Sequence, residues 1–237
     1  MKTPILSVLA ILLCLSARAE GQTPPAAADP AIEIPHSSRT KGNLSDIALD
    51  FLLTKLFAKQ KNVKITYDFV ESSFSDKTVA FRNLTIRPER PDVSGVIRLG
   101  LVKLDLNDLL GFLDTGVATV AGIDASDVKI SLDVYEGGQK RKSVLAAADA
   151  VKIDQLTEQL NTADRIVTED VLVLKTAEIS NGKLYLPLTK ERFAAQKLLF
   201  RGFSIRLSGE KGISFDSASV NGKTAATEAE LKKLLTE

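Results

Sequence analysis

The sequence predicts an α+β fold: a curved, mainly antiparallel sheet with an N-terminal amphipathic helix, a middle helix and a short C-terminal helix. Three observations carry that expectation. Apolar residues recur at helical spacing in residues 44–57 and again in residues 143–162. Other segments alternate apolar with polar residues, the period of a half-buried strand. Asn-Gly and Gly-Gly pairs, which favour the tight turns between antiparallel strands, punctuate them.

The chain opens with Lys2, an apolar run from Ile5 to Leu15 broken by Ser7, and the small-x-small triplet Ala17-Arg18-Ala19 before Glu20. That order of charge, apolar core and cleavage site is the pattern of a secretory signal peptide over residues 1–19. The apolar run is well short of the roughly 20 residues a membrane-spanning helix needs. Cleavage is therefore expected, giving a periplasmic protein with no retained transmembrane helix. Leu13 stands where a lipoprotein signal carries a small residue, so Cys14 is not expected to be lipidated. Residues 20–42, including Pro24-Pro25-Ala26-Ala27-Ala28, lack periodicity and read as a disordered linker.

A β-rich body is expected over residues 43–237. Asn43 can cap a helix whose Leu44, Ile47, Ala48, Phe51, Leu52 and Leu56 share a face, widened by Leu49, Leu53 and Phe57. Val63, Ile65, Tyr67 and Phe69 then alternate with polar residues. A second strand runs from Val79 to Ile86, and its apolar phase slips near Arg82-Asn83, the mark of a bulge. Beyond the stiff Arg87–Asp92 connection, a third strand from Val96 to Leu106 slips at Leu101-Val102. Asn107 should cap a short helix carrying Leu109, Leu110, Phe112 and Leu113. Val128 to Val134 alternate cleanly up to Gly137-Gly138.

Ser143 to Thr162 should form the middle helix, burying Leu145, Ala148, Ile153, Leu156 and Leu160. Strands are expected at Val167–Lys175, Ala177–Leu186, Lys197–Leu207 and Ile213–Val220. Tight turns should fall at Asn181-Gly182 and Asn221-Gly222, and a hairpin loop at Gly209–Gly212. Thr227 and Glu230 form a capping box for a terminal helix bearing Leu231, Leu234 and Leu235.

Composition excludes more chemistry than it suggests. The 31 basic and 30 acidic residues leave a net charge of +1, which loss of Lys2 and Arg18 with the leader turns into −1. No overall field remains to recruit nucleic acid or an anionic surface. The leader also takes the one Cys and the one Met, so the body must hold itself by its core without disulfides. The one histidine, His36, lies in the linker, which removes Ser-His-Asp and Cys-His nucleophiles and most zinc and haem sites. Neither a glycine-rich phosphate loop nor a Walker sequence occurs. Asp124-x-x-Asp127 reads as turn and cap chemistry, Asp105 and Asp108 flank a strand end, and calcium-loop spacing is absent. No catalytic residue, cofactor or metal ligand is expected. Arg82, Arg87, Arg98, Arg201 and Arg206 have no aromatics interleaved for nucleic acid and read as solvated strand faces.

One internal similarity stands out. Phe81-Arg82-Asn83-Leu84-Thr85-Ile86-Arg87 aligns with Phe200-Arg201-Gly202-Phe203-Ser204-Ile205-Arg206. It admits a duplicated strand-strand-strand-helix unit with halves at 43–142 and 143–237, or a chance match of two amphipathic strands.

The helix, the first strand, Val79-Ala80-Phe81-Arg82-Asn83-Leu84-Thr85-Ile86, then Val96-Ile97-Arg98-Leu99-Gly100-Leu101-Val102-Lys103-Leu104-Asp105-Leu106-Asn107-Asp108-Leu109-Leu110 form a series. With the strand that follows, it resembles the N-terminal module of AsmA-like envelope proteins over residues 44–134. The resemblance implies a sheet curved into a groove that can hold acyl chains. Leu99, Leu101, Val102, Leu104, Leu106 and Phe112 are the lipid-contact candidates. The chain departs from that family in being short and in carrying a cleavable leader where the family keeps a membrane anchor. The expected function is non-enzymatic: an exported envelope protein that binds lipid or supports outer-membrane assembly. Its partner would be a lipid or an envelope protein, with peripheral membrane association. The alternative is a periplasmic interaction or structural subunit with no small-molecule ligand.

Overall fold

The computed structural model describes residues 49–50, 53–54, 63–111, 117–156, 159–161, 171–206 and 212–236. Period-2 alternation extends much further along the chain than the separate sequence segments suggest. The strands are β1 (Val63–Thr66), β2 (Phe69–Ser73), β3 (Thr78–Pro88), β4 (Val93–Leu106), β5 (Val117–Glu136) and β6 (Gln139–Leu156). Then come β7 (Gln159–Asn161), β8 (Val171–Leu186), β9 (Glu191–Arg206), β10 (Gly212–Ser214), β11 (Ser217–Val220), β12 (Lys223–Ala225) and a C-terminal helix, Glu228–Thr236. Their hydrogen-bonded order is β1-β3-β4-β5-β6-β8-β9-β11-β12, with β2 on β3, β7 on β5 and β10 on β9. These pairings are antiparallel throughout. The expected α+β class is therefore corrected to an open, curved, mainly antiparallel sheet.

The largest correction falls on residues 143–162, where the expected middle helix is replaced by most of β6 and by β7. The buried Val144, Ala148 and Val151 do stand at helical spacing. They do so because the phase of the strand slips by one between Ala148 and Val151, and a slipped period of 2 imitates a period of 3.6. Alanine's helix preference is worth only tenths of a kcal/mol per residue. A strand here pairs with β5 on one side and β8 on the other, satisfying backbone groups that a helix would leave without ladder partners.

Smaller corrections follow the same logic. Asn181-Gly182 is not a hairpin turn but lies inside β8, whereas Asn221-Gly222 does join β11 to β12. Asp124 and Asp127 lie within β5 rather than in a turn. The helix after β4 is described at Leu109–Gly111, and its cap is Asp108, whose Oδ1 accepts the Gly111 N–H at 2.8 Å, rather than Asn107. Residues 1–48, on which the expected leader and linker fall, and residues 207–211 lie outside the described residues. The boundary between residues 142 and 143 falls inside β6.

A transverse crease organises the sheet. Asn83, Asp127 and Asn181 have φ of 52°, 51° and 49°, in the left-handed region that Asn and Asp tolerate better than other side chains. The register sets Asn83 opposite Gly100, Gly100 opposite Asp127, Asp127 opposite Asp149, Asp149 opposite Asn181, and Asn181 opposite Gln196. Left-handed residues thus occur on β3, β5 and β8, alternate strands along this row. Each breaks the pleat locally, so side-chain parity changes while the same face stays inward. Val79 and Phe81 are buried on one side and Leu84 and Ile86 on the other; Ile123 and Ala125 give way to Val128, Ile130 and Leu132. Side chains stitch the row: Asn83 Nδ2 donates to Asp68 at 2.6 Å and Asn181 Nδ2 to Asp149 at 2.7 Å. Gly100 is required where the Asp127 side chain crosses, since a Cβ there would lie 2.9 Å from the Asp127 Cβ. Both phase slips expected on β3 and β4 belong to this one feature, the second centred on Gly100.

The two similar segments occupy equivalent places near opposite edges. Asp68 N–H donates to Arg82 O at 3.0 Å and Asp216 N–H to Arg201 O at 2.9 Å. Tyr67 meets Phe81 edge-on with centroids 5.5 Å apart, and Phe215 meets Phe200 in the same way at 5.7 Å. Gly202, at φ 58°, matches Asn83. Ile65-Thr66-Tyr67-Asp68 precedes the first segment, while Ile213-Ser214-Phe215-Asp216 follows the second. The two sites are therefore related by a rotation about an axis through the sheet, and the similarity marks a shared edge geometry.

The Tyr67 hydroxyl also donates to Asp50 Oδ1 at 2.7 Å, tying the helical residues Leu49, Asp50, Leu53 and Thr54 to the sheet, where Leu49 and Leu53 are buried. Burial and the Asp50 carboxylate push the Tyr67 pKa above the ordinary tyrosine value. A raised pKa gives stability that is complete below about pH 10 and is lost as pH climbs from there. Tyr67→Phe should flatten the alkaline limb of a stability profile by about 1.4 kcal/mol per pH unit, measured by urea unfolding between roughly pH 10 and pH 11.5. Asp127→Val should cost about 1–3 kcal/mol through left-handed strain, while Asp127→Gly should stay close to wild type in the same assay.

Candidate functional site

Small residues hollow out the inward face beyond the crease. On β6 the wall is formed by Ala146 and Ala148, and on β8 and β9 by Gly182 and Ala195, where neighbouring positions carry Val, Ile, Leu or Phe. The result is a cavity of about 330 Å³, within the range of roughly 300–1,000 Å³ typical of small-molecule sites. Val128 and Ile130 of β5, Ile179, Leu184 and Leu186 of β8, and Phe193, Leu198 and Phe200 of β9 complete the sheet side. Phe203 and Phe215 close one end, with the Phe200 ring 5.1 Å from Phe203 and 5.7 Å from Phe215 between centroids.

The C-terminal helix supplies the opposite wall through Glu228, Leu231, Lys232 and Leu235. Its start matches the expected capping chemistry. Glu230 N–H donates to Thr227 Oγ1 at 3.3 Å, and Glu230 Oε2 accepts the Ala226 N–H at 2.8 Å. Glu228 and Glu230 at the first turn and Lys233 at the last complement the helix dipole. Leu231 is buried, and Leu234 and Leu235 pack on the core. A Lys232–Glu191 ion pair at 3.4 Å ties the helix to the start of β9. An exposed pair of that kind contributes less than about 1 kcal/mol, so the leucines dominate the attachment.

The ionisable groups of the cavity are Glu228, Lys183 and Lys232, and the lining offers no hydroxyl, thiol or imidazole. Shifted titrations lie elsewhere. Hydrogen bonds from Lys140 and Ser143 hold the Asp133 carboxyl below its usual range, and Arg90 does the same for Asp92. These are exposed pairs at the β5–β6 and β3–β4 ends. No cluster of metal-ligating side chains occurs among the described residues, and no helix among them is long and apolar enough to cross a membrane.

The lipid-contact candidates chosen from sequence fall elsewhere. Leu99, Val102 and Leu106 are buried in the core, Leu104 packs against it, and Leu101 is half-buried. None of these lines the cavity, and Phe112 lies outside the described residues. The residues that sequence reasoning missed are the small ones. Their signal was Ala146-Ala147-Ala148, which a strand reading would have marked as a row too small to fill its face.

No family model matches the chain, and no curated protein matches it. Among solved structures it is similar to LptH, the LptA-homologous periplasmic component of the lipopolysaccharide transport device from Pseudomonas aeruginosa. That alignment has 9% sequence identity and a TM-score of 0.30, and covers 65% of this chain and 92% of LptH. A likeness at that score assigns neither fold nor function.

Leu231→Asp should release the C-terminal helix by placing a charge against the core. Hydrogen exchange should then accelerate across residues 228–236 while amides of β5, β6 and β8 keep their protection.

Proposed function

We propose that this protein is an exported, non-enzymatic envelope protein that holds an acyl chain, or a ligand of similar apolar character, between the alanine-lined sheet and the C-terminal helix. The carrying observation is the cavity of about 330 Å³, whose wall is apolar except for three charged residues. An apolar cavity favours an apolar occupant. Glu228 and Lys232 of the C-terminal helix suit the polar end of such a ligand. The secretory pattern of residues 1–19 supports a periplasmic location. The AsmA-like run in residues 44–134 supports membership of that broad class of envelope proteins, with a role in lipid handling or outer-membrane assembly. The non-enzymatic reading rests on a cavity wall that carries one carboxylate and no hydroxyl, thiol or imidazole.

Native mass spectrometry of protein purified from its own envelope should show a co-purifying lipid, and a fluorescent acyl probe should compete with it. Ala148→Leu with Ala195→Leu fills the hollow and should abolish probe uptake. Its stability should stay within about 1–3 kcal/mol of wild type, the usual span for added methylenes. Wild-type protein that carries no lipid and takes up no probe would refute the reading.

A further inference from the structure

The outward face of the sheet is not uniform in charge. On one side of the Asn83–Asn181 crease, cations are paired with neighbours: Arg82 with Glu71, Lys103 with Asp105, Lys152 with Asp154 and Lys197 with Glu178. On the hairpin side of the Asn83–Asn181 crease the pattern changes. Cross-strand register sets Thr85, Arg98, Lys129, Ala147, Lys183 and Ala194 in one row. Lys64 pairs with Arg87 in the adjoining row, which ends at Arg192 beside Tyr185. Neither row contains a carboxylate.

Arg87, Arg98, Lys129 and Lys183 are exposed and make no ion pair among the described residues, although Lys183 also borders the cavity. Arg98 and Lys129 stand directly opposite each other, a like-charge pair that costs stability unless something outside the chain neutralises it. The acids on either side are already engaged: Asp149 accepts from Asn181, Asp127 lies over Gly100, and Asp133, the next outward residue of β5 beyond Ser131, pairs with Lys140. Leu145, 41% exposed, and Tyr185 rise from the same panel. A broad, flat row of cations with an exposed leucine beside it suits phosphate-bearing headgroups, with apolar groups entering the boundary beneath them.

We propose that this panel docks the protein on an anionic phospholipid bilayer, placing the opposite, cavity-bearing face away from the membrane. The proposal does not depend on an acyl ligand in the cavity. A net charge near zero for the whole chain conceals the patch.

Co-sedimentation of the full mature chain with phosphatidylcholine vesicles containing about 30% phosphatidylglycerol tests it. Wild type should bind these vesicles at low salt, release them at high salt, and ignore pure phosphatidylcholine. Arg98→Glu with Lys129→Glu should weaken binding about thirtyfold or more. Lys103→Glu with Lys152→Glu changes net charge equally on the paired panel and should leave binding within about twofold. Arg98→Gln with Lys129→Gln serves as the milder pair should reversal lower the melting temperature. Equal loss in both reversed pairs, indifference of wild type to anionic lipid, or retention on polyglutamate without vesicle binding would overturn the proposal.

Discussion

Adjacent strands can share a bend only if each one breaks its pleat in the same row, and that requirement governs this molecule. A left-handed residue costs an ordinary L-amino acid about 1–2 kcal/mol, and a lone one would leave its neighbours out of register. Here Asn83, Asp127 and Asn181 take the conformation on alternate strands, while Gly100 and Asp149 stand between them and Gln196 lies beyond Asn181. The Asn83–Asp68 and Asn181–Asp149 hydrogen bonds, net worth about 1 kcal/mol each, offset the strain only in part. The remainder is supplied by burial on both sides of the line, across which the inward parity of each strand switches. Core, curvature and cavity all inherit their geometry from that row.

The crease also explains which parts of the fold were legible in the sequence. On β3 a single slip at Arg82-Asn83, flanked by clean alternation, reads directly as a bulge. On β4 the slip falls between Leu99 and Val102, within a residue of where alternation alone places it. On β6 the same slip sits amid alanines, where high helix propensity and an imitation of helical spacing both point the wrong way. Asn181-Gly182 fails for a related reason: a pair that favours positive φ marks a hairpin or a crease equally well, and only long-range pairing decides. The terminal helix was readable because its capping box is local, completed by contacts four residues apart or fewer.

The site was far less legible than the fold. A cavity is defined by what side chains leave empty, and its walls come from β5, β6, β8, β9 and the last helix, distant in sequence. Reasoning from large apolar residues led instead to Leu99, Val102 and Leu106, which fill space. The cationic panel was hidden for the opposite reason. Arg87 and Arg98 were noticed in sequence, but Lys129 and Lys183 join them only through register across three strand boundaries.

The alanine wall carries an evolutionary consequence. Because side-chain size, and no special backbone, makes the hollow, each of Ala146, Ala148 and Ala195 acts as an independent gauge on its depth. A single-codon change from Ala to Val at any of them shortens the space without touching the crease or the hydrogen-bonded ladders. If the hollow holds the proposed apolar ligand, a lineage carrying this scaffold can therefore track a change in that ligand's length by small steps.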